Sequence, residues 1–165
     1  MYNAAEAAAE ESLRRRFVHK ALDAGIQLIQ LPCPEFTLYG ARRWGHTEYQ
    51  FDNPFFRRHC QKLLQPVLLE TEEYLQNPGR FEILGFLGVD GSPSCGVKYT
   101  CKGCWGGNLS NRDDINEVIA HAGLVEGRGV FFEELTVMLS KKGISLPLKG
   151  LYALEPEHAL NLVGD

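Results

Sequence analysis

Two of the five cysteines stand in segments that could carry chemistry. Cys33 lies between two prolines in the segment LPCPE, and Cys95 ends the turn-forming segment DGSPSC. An odd number of cysteines favours free thiols, a metal site or catalysis over a disulfide framework. Two thiols that converge in a cleft are typical of a metal or cluster site, and the simpler alternative is that each is a small buried apolar side chain.

The remaining three cysteines carry weaker signals. Cys60 falls on the apolar face of a predicted helix, which favours a place in the core. Cys101 and Cys104 form a CxxC pair in a glycine-rich segment, compatible with zinc, an iron–sulfur cluster or a redox dithiol. No Cys or His pair follows at zinc-finger spacing, which disfavours a structural zinc site.

Two strand-like runs position the informative cysteines. The run IQLIQL at residues 26–31 ends just before Cys33, and the apolar run ILGFLGV at 83–89 ends just before the turn that carries Cys95. Apolar runs of this kind are typical of strands in a parallel sheet. Because open α/β sheets bind ligands at the carboxyl ends of their strands, we expect both sulfurs to lie at that same edge.

Helical patterns alternate with these runs. Residues 36–52 mix aromatic, basic and acidic side chains without a clean period, which suits a loop that lines a site or packs over one. The alternation predicts one α/β domain over residues 1–165, with a three-layer, mostly parallel sheet and helices on both faces, a Rossmann-like architecture. Helices are predicted at about residues 3–24, 54–76, 111–121 and 130–142, and a last strand at 146–152.

The overall charge disfavours some classes of function. The 165 residues carry a formal net charge of −4, which gives no general attraction to nucleic acid. Arg42 and Arg43 could pair with a substrate phosphate, and packing on Trp44 is their simpler role. The amino terminus has no apolar signal core, and no stretch approaches the ~20 apolar residues of a membrane span. We therefore expect a cytoplasmic protein that binds neither a nucleic-acid polymer nor a membrane.

Both cysteine segments resemble those of the thiouracil desulfidase family, in particular its desulfidase-related subgroup. The likeness rests on LPCPE at residues 31–35, GVDGSPSCG at 88–96, RRW at 42–44 and WGG at 105–107, and GVDGSPSCG is its specific part. The resemblance implies a [4Fe-4S] cluster held by three cysteines, with one iron open to bind the sulfur of a thiolated nucleobase. It makes Cys33 and Cys95 two of the ligands.

The third ligand of that family normally lies in a strand and turn ahead of the first helix. This sequence shows no such segment ahead of its first predicted helix. Either the sequence is an amino-terminally shortened form, or another thiol substitutes as the third ligand, with Cys104 or Cys101 as the candidates. The open iron would act as a Lewis acid that draws sulfide from a C=S carbon while water adds. Glu35 would carry a proton, and its simpler role is that of an exposed turn carboxylate. Ser92 would bond the substrate or the water, and Asp90 would cap the turn.

Two other classes of function stay open at this stage. A non-catalytic metal-binding or sulfur-carrying protein would hold zinc or a cluster through Cys33, Cys95, Cys101 and Cys104. A domain without metal would act through protein contacts, with a partner or a second copy of the chain covering an open sheet edge. The expected partners are thus a small thiolated substrate and, as a candidate, a second copy in a homodimer.

Overall fold

The computed structural model of the chain describes residues 4–108, 110 and 112–163. The α-helices in these residues are α1 (Ala4–Asp23), α2 (Pro34–Tyr39), α3 (Glu48–Phe51), α4 (Pro54–Leu75), α5 (Ile115–Ala120), α6 (Val130–Lys141) and α7 (Pro156–Leu160), and a 3₁₀ turn follows at Asn161–Val163. The strands are β1 (Phe86–Val89), β2 (Tyr99–Lys102), β3 (Gly123–Glu126) and β4 (Leu148–Leu151). None of the described helices combines the length and apolar character that crossing a membrane needs.

The strands form two separate sheets of two strands each in the described part of the chain. β1 pairs with β4 in parallel, with Phe86 opposite Leu148 and Val89 opposite Leu151. β2 pairs with β3 in antiparallel fashion, with Cys101 opposite Leu124. The parallel pair points its carboxyl end at the turn that carries Cys95, so this sheet positions the candidate site.

Helix α4 begins where its sequence predicts. Asn53 caps it, because its side-chain oxygen accepts the N–H groups of Phe55 and Phe56 at 3.1 and 3.0 Å, and Pro54 fills the first helical position. Its buried side chains recur at helical spacing, which turns one apolar stripe inward. These are Phe56, Cys60, Leu64, Leu68 and Thr71.

Two apolar cores pack against the parallel sheet. The larger joins α4 and α6 to Phe86 and Leu148 of the strands, and the smaller joins α1 and the carboxyl-terminal helix to Leu87 and Leu151. Alternate strand residues point to opposite faces of a sheet, so helices cover this sheet on both sides. The burial of these apolar side chains is the main force that holds the elements in place.

The structure corrects several of the sequence predictions. The predicted strand at residues 26–31 is wrong, because these residues join no sheet and no described strand pairs with the edge of β1 opposite β4. Helices α2 and α3 and the sheet of β2 and β3 lie in segments predicted as loops. The helix predicted at about 111–121 is α5, and residue 111 lies outside the described residues.

The fold class is confirmed at a coarse level. The described residues form a mixed α/β structure with a small parallel sheet and helices. The apolar run at 83–89 becomes a strand only from Phe86, because Gly85 before it adopts a φ of +143° and a Cβ there would meet the Pro147 carbonyl oxygen at 2.4 Å. The predicted long strand is therefore four residues long.

Candidate functional site

The prolines around Cys33 place its thiol at the start of α2. Pro34 occupies the first turn of the helix, and Cys33 precedes it with an extended backbone at φ −76° and ψ 115°. The Sγ of Cys33 accepts the N–H of Phe36 at 3.4 Å in the manner of a helix cap. The Cys33 side chain is exposed. The LPCPE segment thus presents a thiol that solutes can reach.

The turn that carries Cys95 is tied together by buried polar groups. The Asp90 carboxylate accepts the backbone N–H groups of Val97, Lys98 and Tyr99 at 2.7, 2.8 and 3.1 Å. This contact confirms the predicted capping role of Asp90. The hydroxyl oxygen of Ser92 accepts the N–H of Cys95 at 3.0 Å, so Ser92 stabilises the turn. Its predicted role in binding substrate or water stays a prediction.

The amino terminus of α6 packs directly on this turn. Its Val130 and Phe131 N–H groups donate to the carbonyl oxygens of Pro93 and Ser94 at 3.1 and 2.9 Å. Gly129 permits the close approach, because a Cβ at this position would lie 2.4 Å from the carbonyl carbon of Ser94. The helix end therefore fixes the backbone on which Cys95 stands.

Glu35 and Ser94 join the two cysteine segments. The fully buried Ser94 hydroxyl donates to Oε1 of Glu35 at 2.6 Å. The same hydroxyl oxygen lies 3.3 Å from Sγ of Cys95. Since Glu35 follows Cys33 by two residues, this bond links the Cys33 segment to the Cys95 turn. Residues 26–31 form no strand, so this hydrogen bond, and not a second parallel strand, joins the two segments.

Burial dominates the electrostatics of the Cys95 thiol. Burial is the main reason that the pKa of the Cys95 thiol is raised to about 11, and negative charge on Cys33 and on Glu35 raises it further, while hydrogen bonds from Ser94 and Ser92 act in the opposite direction. We call the group of Cys33, Cys95, Glu35 and Ser94 the thiol crevice.

Glu35 is a buried, fully bonded carboxylate. Its Oε2 pairs with Nε of Arg43 at 3.0 Å, and its Oε1 accepts the Ser94 hydroxyl. Its alternative role as an exposed turn carboxylate is therefore wrong, and Arg43 is tied to Glu35 by an ion pair. Sequence reasoning missed Ser94, whose only signal was its place directly before Cys95.

The other three cysteines fall into two places. Cys60 is fully buried in the larger core, as predicted, and burial raises the pKa of its thiol to about 12. Cys101 lies in β2, and Cys104 lies exposed on the loop that follows it. The adjoining Gly103 carbonyl accepts the Thr47 hydroxyl at 2.6 Å, which attaches this loop to the start of α3.

Residues 36–52, predicted as a loop that lines a site or packs over one, include most of α2 and all of α3. The rings of Tyr39, His46, Phe51 and Phe56 stack in series, with centroid distances of 5.1, 4.7 and 4.3 Å. Burial lowers the pKa of His46, and its Nδ1 is a buried polar atom without a hydrogen-bond partner among the described groups. This aromatic stack supports the wall of α2 on which Cys33 and Glu35 stand.

The thiol crevice provides part of what a [4Fe-4S] cluster needs. Cys33 and Cys95 offer two thiolates, and three would be required for the cluster that the sequence resemblance implies. Among residues 4–108, 110 and 112–163, no three His, Cys, Asp or Glu side chains are grouped so that they could hold a metal ion. Cys104 therefore does not complete the site in this structure, and the residues present do not fit a three-cysteine cluster.

The fold and the site define a class: a mixed α/β protein in which a hydrogen bond joins an exposed cysteine segment to a cysteine-bearing turn after a parallel strand. Over 70 residues the chain is 34% identical to an uncharacterized protein of Methanocaldococcus jannaschii. The match covers 42% of this chain and 43% of the archaeal protein, less than half of each. No protein-family model matches the chain, and no solved structure matches it.

Proposed function

We propose that the thiol crevice removes sulfur from a small thiolated compound, such as a thiolated nucleobase, and releases it as sulfide. The observation that carries this proposal is the 2.6 Å hydrogen bond from Ser94 to Glu35, which joins the LPCPE segment to the SPSC segment. The likeness of both segments to the thiouracil desulfidase family supports the same reaction.

The reaction exchanges sulfur for oxygen at a C=S carbon. Water supplies the oxygen and two protons, and the sulfur leaves as hydrogen sulfide, so atoms and charges balance without a redox step. A thiol that solutes can reach is provided by Cys33, and a carboxylate for moving protons is provided by Glu35. Ser94 holds Glu35 in place, and Ser92 holds the turn under Cys95. No step is assigned to a cluster.

The proposal includes a finer view of the fold and of the cell compartment. We infer a Rossmann-like, three-layer architecture built around the β1 and β4 pair, with the crevice beside the carboxyl end of β1. We also infer a cytoplasmic location, where reduced thiols persist. Ligand binding at this sheet edge is the usual arrangement in open α/β folds.

The test is sulfide release from 2-thiouracil and 4-thiouracil under anaerobic conditions. The protein is assayed as purified and after incubation with ferrous iron and sulfide, and bound iron and zinc are measured in both preparations. We expect sulfide together with uracil as the product, and loss of at least ~10²-fold in rate on Cys33→Ser and on Glu35→Gln.

Cys104→Ser is the matched control, because it removes an exposed thiol outside the crevice. It should retain the activity of the unmodified chain. Activity that survives in Cys33→Ser, or the absence of uracil from both preparations, would exclude the proposal. Iron found with activity would identify a metal-dependent reaction, and activity without metal would identify a reaction of the thiols alone.

A further inference from the structure

Helix α2, which carries Glu35, is too short to hold its own position. It has six residues, and isolated helices shorter than ~12 residues are marginal in water. Glu35 anchors one side of the helix through its bonds to Ser94 and Arg43. The direction in which the carboxylate points therefore depends on every contact that α2 makes with the rest of the molecule.

Thr37 provides a second anchor, on the side of α4. Its hydroxyl donates to the carbonyl oxygen of Cys33 at 2.9 Å and lies 3.2 Å from that of Pro34. The same hydroxyl oxygen lies 2.9 Å from Nε2 of His59, on α4. A hydroxyl has a single proton, so with that proton on a carbonyl the imidazole Nε2–H is the donor to Thr37. This bond forms with a neutral or a protonated ring.

His59 stands on a firm support. Its ring centroid lies 6.4 Å from that of Phe56, which is buried and stacks on Phe51 at 4.3 Å. The helix that carries it is 22 residues long and forms part of the larger core. The donor is therefore held in place before α2 docks on α4, which is what accurate positioning of a second element needs.

We propose that His59 is a positioning residue of the thiol crevice, which holds α2 through Thr37 and so fixes the place of Glu35. The inference rests on the proposed function, because Glu35 is the group that moves protons in that reaction. The bond from His59 to Thr37 is exposed, so its loss removes little stability. Its removal should therefore alter the rate of the reaction while the chain stays folded.

The first experiment measures sulfide release from 2-thiouracil by paired variants of the full chain. Thr37→Val and His59→Leu remove the bond, whereas Thr37→Ser keeps the hydroxyl and His59→Gln keeps an N–H donor. We expect kcat to fall at least ~10-fold in Thr37→Val and His59→Leu, with KM little changed, and to recover in Thr37→Ser and His59→Gln. Circular dichroism should show all four variants folded.

Thr136→Val is the matched control, because the Thr136 hydroxyl makes the same kind of bond within α6, to the carbonyl of Phe132 at 2.7 Å. It should keep the kcat of the unmodified chain. A loss of kcat in Thr136→Val as large as that in Thr37→Val would mean that the hydroxyl of Thr37 acts only on its own helix.

Amide hydrogen exchange tests the anchor without the reaction. The amides of α2, such as that of Thr37, which donates to the Cys33 carbonyl at 3.0 Å, should exchange ~3-fold or more faster in His59→Leu than in His59→Gln. The amides of α4 should exchange alike in both variants. Mass spectrometry of the peptides that contain each helix gives the two rates.

The outcomes separate the anchor from the proposed function. Equal exchange of α2 in His59→Leu and His59→Gln would overturn the inference, whatever the activity. An unchanged kcat in His59→Leu, or a kcat that is equally low in His59→Gln, would also overturn it. If the unmodified chain releases no sulfide, the proposed function fails, and the exchange rates alone decide whether His59 holds α2.

Discussion

At the scale of single residues, the crevice depends on a buried hydroxyl. Ser94 has no exposed surface, and its hydroxyl lies between Oε1 of Glu35 and Sγ of Cys95. A buried carboxylate that loses such a donor keeps its desolvation penalty without the compensating bond. The serine therefore contributes both to stability and to the position of Glu35.

Replacing Ser94 with alanine tests this role. Because the change leaves one oxygen of Glu35 buried without its donor, we expect the free energy of unfolding to fall by ~1–3 kcal/mol. The measurement is urea unfolding at neutral pH. Ser145→Ala, at an exposed serine, should stay within ~0.5 kcal/mol of the unmodified chain. Equal stabilities for the two variants would mean that the Glu35 bond contributes nothing.

Cys60 gives a prediction for alkaline pH. Its thiol has a pKa raised from 9.0 to about 12 by burial, so between these values the folded state keeps a proton that the unfolded state releases. The contribution of Cys60 to the free energy of unfolding is therefore fully present below about pH 9. It falls as pH rises above 9, by at most ~1.4 kcal/mol per pH unit. Cys60→Ala should remove this part of the pH dependence of the unfolding free energy, as measured by urea unfolding at several pH values.

The matched control for Cys60→Ala is Leu64→Ala, one turn further along the same buried face of α4. It creates a cavity of its own and lowers stability by ~2–5 kcal/mol at every pH, but it removes no titrating group. The alkaline slope should thus persist in Leu64→Ala. If both variants keep the slope, the thiol of Cys60 does not cause it.

At the scale of elements, the sequence predicted those parts whose signals are local. Helix α4 follows from the Asn53 cap, Pro54 and one apolar stripe, and its observed bounds agree with the prediction within a residue or two. The strand predicted at residues 26–31 does not form, because an apolar run becomes a strand only beside another strand, and pairing is a property of the tertiary structure.

The candidate site likewise combines residues that have a local sequence signal with contacts between distant parts of the chain that have none. Cys33, Cys95 and Glu35 could be selected from the segments that contain them, since prolines, glycines and serines around a thiol indicate a shaped turn. The Glu35 and Ser94 bond spans 59 residues of sequence, and the attachment of Cys104 to α3 through Gly103 depends on another distant contact. Neither contact has a local signal, so the predicted third ligand had no geometric basis.

The docking of α6 on the Cys95 turn gives a prediction about an element. A Cβ at residue 129 would lie 2.4 Å from the Ser94 carbonyl carbon and 2.7 Å from the Cys95 nitrogen, both of them backbone atoms that cannot rotate away. Gly129→Ala must shift the helix end, and we expect a loss of at least ~2 kcal/mol in unfolding free energy.

The control for Gly129→Ala is Gly79→Ala, where an added Cβ meets no atom within 4 Å. Its thermal midpoint should stay close to that of the unmodified chain. The displaced turn should also make Cys95 react faster with iodoacetamide in Gly129→Ala, as measured by mass spectrometry of the modified peptide. A stable Gly129→Ala protein with unchanged Cys95 reactivity would show that the contact is not tight.

At the scale of the whole molecule, stability is unevenly distributed. α4 and α6 share the larger core, and Arg57 of α4 ties them further by ion pairs to Glu133 and Glu134 at 2.6 and 2.9 Å. By contrast, every residue of β3 is exposed, and α5 contributes no buried side chain. The thiol crevice stands against the well-packed part, and Cys101 and Cys104 belong to the weakly packed part.

This contrast predicts the pattern of amide hydrogen exchange. Segments with few buried apolar contacts open locally at low free energy, whereas core helices exchange only through global unfolding. Amides of β3 and α5 should therefore exchange at least ~10²-fold faster than those of α4 and α6 when followed by mass spectrometry at neutral pH. If β3 and α5 are instead protected as strongly as the core helices, the sheet of β2 and β3 is a cooperative part of the fold.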